Sequence, residues 1–186
     1  RDDLREYLEI AVLSLSLRPV ANKPRLTELL HRAVPYPLLL VTQQGEQISL
    51  SLAHLKNSQG NADKMVLEEK LIHAALNLNE GVTASFLSSL EISQQRNSDL
   101  YSFYDHWKES FEAYLAAAHT DSFFPAPTPE TASLRRKALS ASENLNRQIA
   151  LLRSTAAKEK QLNRRVEINL QISSLEKQLA AAAIHF

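Results

Sequence analysis

The sequence predicts an α+β protein: a small, mostly antiparallel sheet with short helices, followed by a long C-terminal helix or helical hairpin. Short apolar segments in the first half alternate with a period of two, the pattern of half-buried strands. All three Gly and all seven Pro lie before Glu130. From Glu130 to Phe186 neither residue occurs, and Ala, Leu, Glu, Gln, Lys and Arg dominate, the strong helix formers. The division expected is a mixed α+β domain over 1–122, a Pro-rich connector over 123–129 and a helical tail over 130–186.

Taken in order, Tyr7 to Leu17 alternates (Leu13, Leu15 and Leu17 against Ser14 and Ser16) and reads as a strand that Pro19 ends. Pro24 suits a first helical turn, and Leu26, Leu29, Leu30 and Val34 recur at helical spacing, so Lys23 to Ala33 reads as a helix. Val34-Pro35-Tyr36-Pro37 breaks it, because the residue before each Pro is pushed toward extended backbone. Leu38 to Thr42 reads as a buried strand, and Gln44-Gly45 as a turn. Ile48, Leu50 and Leu52 follow, with Ser49 and Ser51 expected on the outer face. Asn57 to Asp63 reads as a loop, and Met65 to Ala75 as one strand leading away from it. Ala84 to Leu90 reads as a short helix. Leu100, Tyr104, Trp107, Phe111 and Leu115 mark an amphipathic helix to about His119.

In the tail, Thr128-Pro129-Glu130 is a helix start: a capping hydroxyl, Pro at the first position, then an acid. One apolar stripe runs through Leu134, Ala138, Ala141, Leu145, Ile149 and Leu152. Another runs through Ile168, Ile172, Leu175, Leu179 and Ala182. The stretch Ser154 to Lys160 between them has no large apolar side chain. The tail is therefore either one unbroken helix of ~85 Å, at about 1.5 Å per residue, or a hairpin folded back near Ser154 to Lys160. The straight form would leave its stripe wet and need another chain, whereas the hairpin buries it internally.

Composition narrows the function classes. Hydrophobic residues make up 44% of the 186, enough for a sizeable core. Lys+Arg and Asp+Glu are 21 each, which argues against a protein basic all over that coats nucleic acid. The absence of Cys removes disulfides, thiolate nucleophiles and zinc-thiolate sites, and fits a soluble bacterial cytoplasmic protein. The apolar runs are too short to span a bilayer, so no membrane is expected. There is no phosphate-cradling Gly loop, no GxSxG and no HExxH, and no cofactor is expected.

Some residues retain chemical interest. Glu68, Glu69 and Lys70 lie near a strand end, where acids and a Lys could serve a Mg²⁺-dependent nuclease; such a run is ordinarily a solvated strand face. Arg135 and Arg136, with Lys158 and Lys160, could touch phosphates, or line the solvated side of a helix. Tyr101 and Phe103 stand off the main aromatic stripe and are the two aromatics suited to outside contact. Asn163 and Asn169 fall near the helical seam, where Asn can fix register. Arg164, Arg165 and Glu167 beside them can make directional contacts with a partner.

Two stretches carry a family resemblance. One is Val34-Pro35-Tyr36-Pro37 followed by Leu38-Leu39-Leu40-Val41. The other runs from Lys158-Glu159-Lys160-Gln161-Leu162-Asn163-Arg164-Arg165-Val166-Glu167-Ile168-Asn169 to Leu175-Glu176-Lys177-Gln178-Leu179. In this order they resemble a bacterial domain-of-unknown-function family, numbered four-three-nine-one. The resemblance implies accessory proteins encoded beside SNF2-type helicases and DNA methyltransferases, in restriction-like or phage-defence neighbourhoods. It also implies a segment ahead of the first strand that this stretch does not hold. It carries over no catalytic residue.

The function expected is a non-catalytic accessory or interaction subunit of a bacterial DNA-defence or DNA-processing system, docking through its C-terminal helices. Its partner would be a helicase or methyltransferase, by the resemblance, or a second copy of the chain, with DNA possible. The alternatives are a divergent metal-dependent nuclease and a DNA-binding module.

Overall fold

The computed structural model describes residues 7–58, 61–68, 70–95 and 98–185, with backbone alone for 61–64 and 185. The chain forms two compact units, Arg1–Tyr114 and Leu115–Phe186.

The first unit is built on a βαβ step. Strand β1 (Ala11–Leu17) leads into helix α1 (Lys23–Ala33) and returns as β2 (Leu38–Gln44), parallel to β1. Asn22 caps α1 by accepting from the Arg25 N–H at 3.2 Å, and Pro24 sits in the first turn. Gly45 turns the chain with a φ of 63°, a left-handed geometry that Gly adopts without strain. Strand β3 (Gln47–Leu52) then pairs antiparallel with β2. Strands β4 (Leu55–Ser58) and β5 (Asn61–Leu67) form a separate two-stranded ladder, and β6 (Ile72–Ala75) returns to pair antiparallel with β3. The main sheet has the order β1-β2-β3-β6 and is mixed.

Of the residues expected to loop out between Asn57 and Asp63, those described lie within β4 and β5, and Gln59 and Gly60 lie outside the described residues. Lys56, Asn57 and Ser58 are polar in succession, so no hydrophobic period marks the strand. The single strand expected over Met65 to Ala75 is two strands in two sheets.

Helix α2 (Gly81–Ser89) and the first part of α3 (Leu100–Thr120) are tied to the sheet by aromatic side chains. The Tyr104 hydroxyl donates to the Leu38 carbonyl at 2.8 Å and accepts from the Ala53 N–H at 3.1 Å. Burial pushes the Tyr104 phenol pKa far up, so it stays a neutral donor. The Tyr114 hydroxyl reaches the Ala75 carbonyl at 3.1 Å and the Thr83 hydroxyl at 3.0 Å. Phe86 stacks on Tyr114 and meets Phe111 edge-on, with centroids 4.4 and 5.1 Å apart. Trp107 Nε1 donates to the Leu90 carbonyl at 3.0 Å. Tyr101 and Phe103, the two aromatics suited to outside contact, are half-buried and pack within this unit against His54 and Trp107.

The sheet face beneath α1 differs from the expected one. Register places Leu40, Ser51 and His73 in one row and Thr42, Ser49 and Ala75 in the next. Ser49 and Ser51 are fully buried, not solvated. The side chains of α1 that bury most deeply are Thr27 and His31, while Leu29 is exposed. His31 Nε2 lies 3.0 Å from Ser51 Oγ, and Lys23 Nζ donates to Ser49 Oγ at 3.4 Å.

In the second unit the tail is a hairpin. Helix α4 (Pro129–Lys158) and helix α5 (Leu162–Ala182) pack against each other. Thr128 caps α4 in a reciprocal pair with Thr131: the Thr131 N–H donates to Thr128 Oγ1 at 3.3 Å, and the Thr128 N–H to Thr131 Oγ1 at 3.1 Å. The chain leaves α4 at Glu159, whose backbone is extended and whose carboxylate accepts the Gln161 N–H at 2.7 Å. Arg153 pairs with Glu176 across the hairpin at 2.7 Å.

Candidate functional site

Both halves of the hairpin seam step by threes and fours. On α4 the inward positions are Ala138, Ser142, Leu145, Ile149, Leu152 and Ala156; on α5 they are Ile168, Ile172, Leu175, Leu179 and Ala182. An alternating 4-3 step keeps one stripe facing a partner helix along its length. Ala141 and Leu134, expected in this stripe, face solvent instead. Ala141 lies one residue, about 100° of rotation, from the position that Ser142 fills.

Helix α5 carries a second apolar stripe. Leu162, Val166 and Leu170 recur every four residues and remain 64%, 50% and 67% exposed. At about 100° per residue they lie on a side of α5 turned well away from Ile168, Ile172 and Leu175. Asn163 and Asn169 border this stripe on its two sides, and both are exposed. They take no part in the hairpin seam, where register was expected to use them; the seam is closed by Ile, Leu and Ala with Ser142. Arg164, Arg165 and Glu167 are exposed on the same stretch. A shallow groove of about 430 Å³ opens between the helices beside Leu151, Gln171 and Ser174.

The basic residues separate into two groups. Lys158, Lys160, Arg164 and Arg165 are exposed around the turn of the hairpin. Arg135 is buried and Arg136 is half-buried on α4, so these two do not join that group.

In the first unit, Glu68 and Lys70 line a cavity of about 670 Å³ between α1 and the β5–β6 segment, together with Lys23, Thr27 and His73. Glu69 lies outside the described residues. Among the described residues no group of three or more His, Asp or Glu is placed to hold a metal ion. Burial, and then the nearby Lys23 ammonium, hold the His73 pKa below the ordinary value.

The chain belongs to the DUF4391 family. That family's model, described as a domain of unknown function, matches residues 1–179, from ahead of β1 nearly to the end of α5. Searches of curated proteins and of solved structures found no match. Both stretches that carried the resemblance sit inside the matched span. In this DUF4391 chain the Pro-Tyr-Pro stretch delivers β2 into the centre of the sheet, and the second stretch forms the hairpin turn and most of α5. No helix among its described residues is long and apolar enough to cross a membrane.

Sequence reasoning did not find one cluster. The Tyr7 hydroxyl lies 2.8 Å from His54 Nδ1, and His54 Nε2 lies 3.2 Å from Asp105 Oδ1. Tyr101 and Tyr104 close around the same imidazole. The Leu55 N–H also donates to the Tyr7 hydroxyl at 3.0 Å. The members are 47 and 51 residues apart, and no local spacing announces them. They tie the chain ahead of β1 to β4 and α3.

Proposed function

We propose that this protein is a non-catalytic accessory subunit of a bacterial DNA-defence or DNA-processing assembly, docking a partner helix on the outer side of α5. One observation carries the reading: Leu162, Val166 and Leu170 form a continuous exposed apolar stripe on a helix whose inner stripe α4 already covers. Scattered surface Leu needs no explanation, but three in one row on a helix supply the anchors of a helix-in-groove contact.

Burying three such side chains contributes about 5–8 kcal/mol gross. Association itself opposes that by a comparable amount, of order 4–15 kcal/mol. The stripe alone therefore gives weak binding, and its polar borders must add contacts. Asn163, Asn169, Arg165 and Glu167 stand where those contacts would form. Such groups also penalise a wrong register.

The family resemblance supplies the partner to try first, an SNF2-type helicase or DNA methyltransferase encoded nearby. The test is tagged co-purification of that neighbour with the wild-type chain and with Leu162→Glu/Val166→Glu/Leu170→Glu. Capture should fall about a hundredfold, as expected for removing central anchors, while circular dichroism stays unchanged. Equal capture by the triple variant would falsify the reading.

A DNA-binding module is the second reading, favoured by the four exposed cations that surround the hairpin turn. Binding to duplex DNA would then weaken with salt by a log–log slope of about −0.9 for each phosphate neutralised. A slope near zero removes it. A metal-dependent nuclease would instead show Mg²⁺-dependent cleavage that disappears in Glu68→Gln.

A further inference from the structure

The outer row of α5 is symmetric about Val166. Gln161-Leu162-Asn163 stands before it, and Asn169-Leu170-Gln171, the same residues in reverse order, stands after it. Arg165 and Glu167 adjoin it on either side. All of these residues are exposed, and neither Arg165 nor Glu167 forms an ion pair within the chain among the described residues. At about 100° per residue, Arg165 and Glu167 lie on opposite flanks of the row, while Arg164 is turned about 160° away from Val166.

A second copy of the chain is the occupant that these flanks fit. A two-fold axis can lay the row against its copy in two ways. In an antiparallel pair each flank meets its own kind, Arg165 against Arg165 and Glu167 against Glu167. In a parallel pair the flanks are exchanged, and Arg165 of each copy faces Glu167 of the other. Apolar matching does not choose between them, because Leu162 meets Leu170 in the first arrangement and its own counterpart in the second. Charge does choose: opposite charges on both flanks favour the parallel pair, and like charges penalise the antiparallel one.

We propose that α5 pairs with α5 of a second copy in a parallel, two-fold symmetric contact centred on Val166, with Leu162, Val166 and Leu170 in its core and an Arg165–Glu167 pair along each flank. The inference rests on the reading of this row as a helix-docking surface, and it names the occupant when the encoded neighbour is absent. Symmetry uses each anchor twice, so three residues supply six apolar side chains. Rows spaced by four residues also pack side by side between helices. The formal net charge of the chain is zero, so two copies do not repel at long range.

A contact of one helix row is small and weak, so sedimentation equilibrium of the full chain between about 1 and 500 µM should take wild type from monomer to dimer. Arg165→Glu and Glu167→Arg should each weaken the dimer about tenfold, as two pairs turn from attraction to repulsion. The double variant Arg165→Glu/Glu167→Arg should restore it, as should an equimolar mixture of the two single variants. Arg164→Glu makes the same charge change away from the row and should leave dimerisation unchanged. The chain has no Cys, so Leu170→Cys reads the direction cleanly. Oxidation should link two copies of a parallel pair, whereas in an antiparallel pair the two sulfurs would stand about 12 Å apart along the helix and stay free. A wild type that remains monomeric, single charge reversals that leave the dimer intact, or Leu170→Cys copies that do not link would each overturn the proposal. If a monomeric wild type still captures the neighbour and Leu162→Glu/Val166→Glu/Leu170→Glu does not, only the occupant is wrong. If the triple variant changes neither the mass nor the capture, the docking reading falls with it.

Discussion

The sheet face under α1 and the outer face of α5 depart from ordinary patterning in opposite directions. Under α1, where Val and Ile would fill a core, the chain buries Thr27, His31, Thr42, Ser49 and Ser51. On α5, where Lys and Glu would meet solvent, it exposes Leu162, Val166 and Leu170. Buried polar groups and rows of exposed apolar ones are the informative deviations, because each is incomplete alone. The polar layer is completed partly from within, by the His31–Ser51 and Lys23–Ser49 pairs. The apolar row has no such internal partner among the described residues on its side of the hairpin and stays exposed, so one region answers its deviation inside the fold and the other does not.

The contrast is sharpest between the two sides of α5 itself. Ile172, in the seam, is buried, whereas Leu170, two residues away, is exposed. Ile172→Ala should destabilise the hairpin by about 3 kcal/mol, the transfer and cavity terms together. Leu170→Ala should change stability by no more than about 0.5 kcal/mol. Urea titrations followed by far-ultraviolet circular dichroism decide it. A large loss from Leu170→Ala would mean that the outer stripe serves the fold and is not held in reserve for a partner.

Under α1 the matching experiment is acidification. Burial lowers the His31 pKa from the ordinary 6.5 to about 4. Above pH 6.5 the imidazole is neutral in both the folded and the unfolded chain, and pH has no leverage through it. Between 6.5 and 4 the unfolded chain takes up the proton and the folded chain does not. Stability therefore falls with pH across that window, by roughly 3 kcal/mol at pH 4. His31→Gln retains a hydrogen-bonding group near Ser51 and should remove this part of the slope. Parallel stability–pH curves for the two proteins would show that His31 is not the group responsible.

How far the sequence disclosed these regions depends on whether a signal is local. The start of α4 was legible because Thr128, Pro129 and Glu130 act within one turn. The fold-back near Ser154 to Lys160 was legible only as one of two alternatives, because neither Gly nor Pro marks it, and the hairpin is chosen by the match of two stripes far apart in sequence. Alternation at Ser49 and Ser51 discloses a strand but not its face, since a polar side is ordinarily the wet one. Thr27 and His31, four residues apart on α1, were the available sign that polar groups turn inward. On α5 the residues beside the outer stripe stand out in sequence by their chemistry, while the stripe itself is masked by the stronger Ile168–Ile172–Leu175 pattern. The Tyr7–His54–Asp105 cluster had no sequence signal at all, because its members meet only through the fold.

The smallest expected effect tests the two unpaired hydroxyls within the polar layer. Thr42, like Thr27, buries a hydroxyl that has no hydrogen-bond partner among the described residues, but it does not line the cavity. Replacing either hydroxyl by a methyl removes an unpaired polar group at nearly constant volume. Thr42→Val and Thr27→Val should therefore each raise stability, by about 1 kcal/mol. Thermal melts of the ligand-free proteins measure this directly. If both variants gain stability, each hydroxyl is a polar group that the fold buries without compensation. If Thr27→Val loses stability instead, its hydroxyl finds a hydrogen-bond partner in solution and serves the packing of α1 on the sheet, which sets it apart from Thr42.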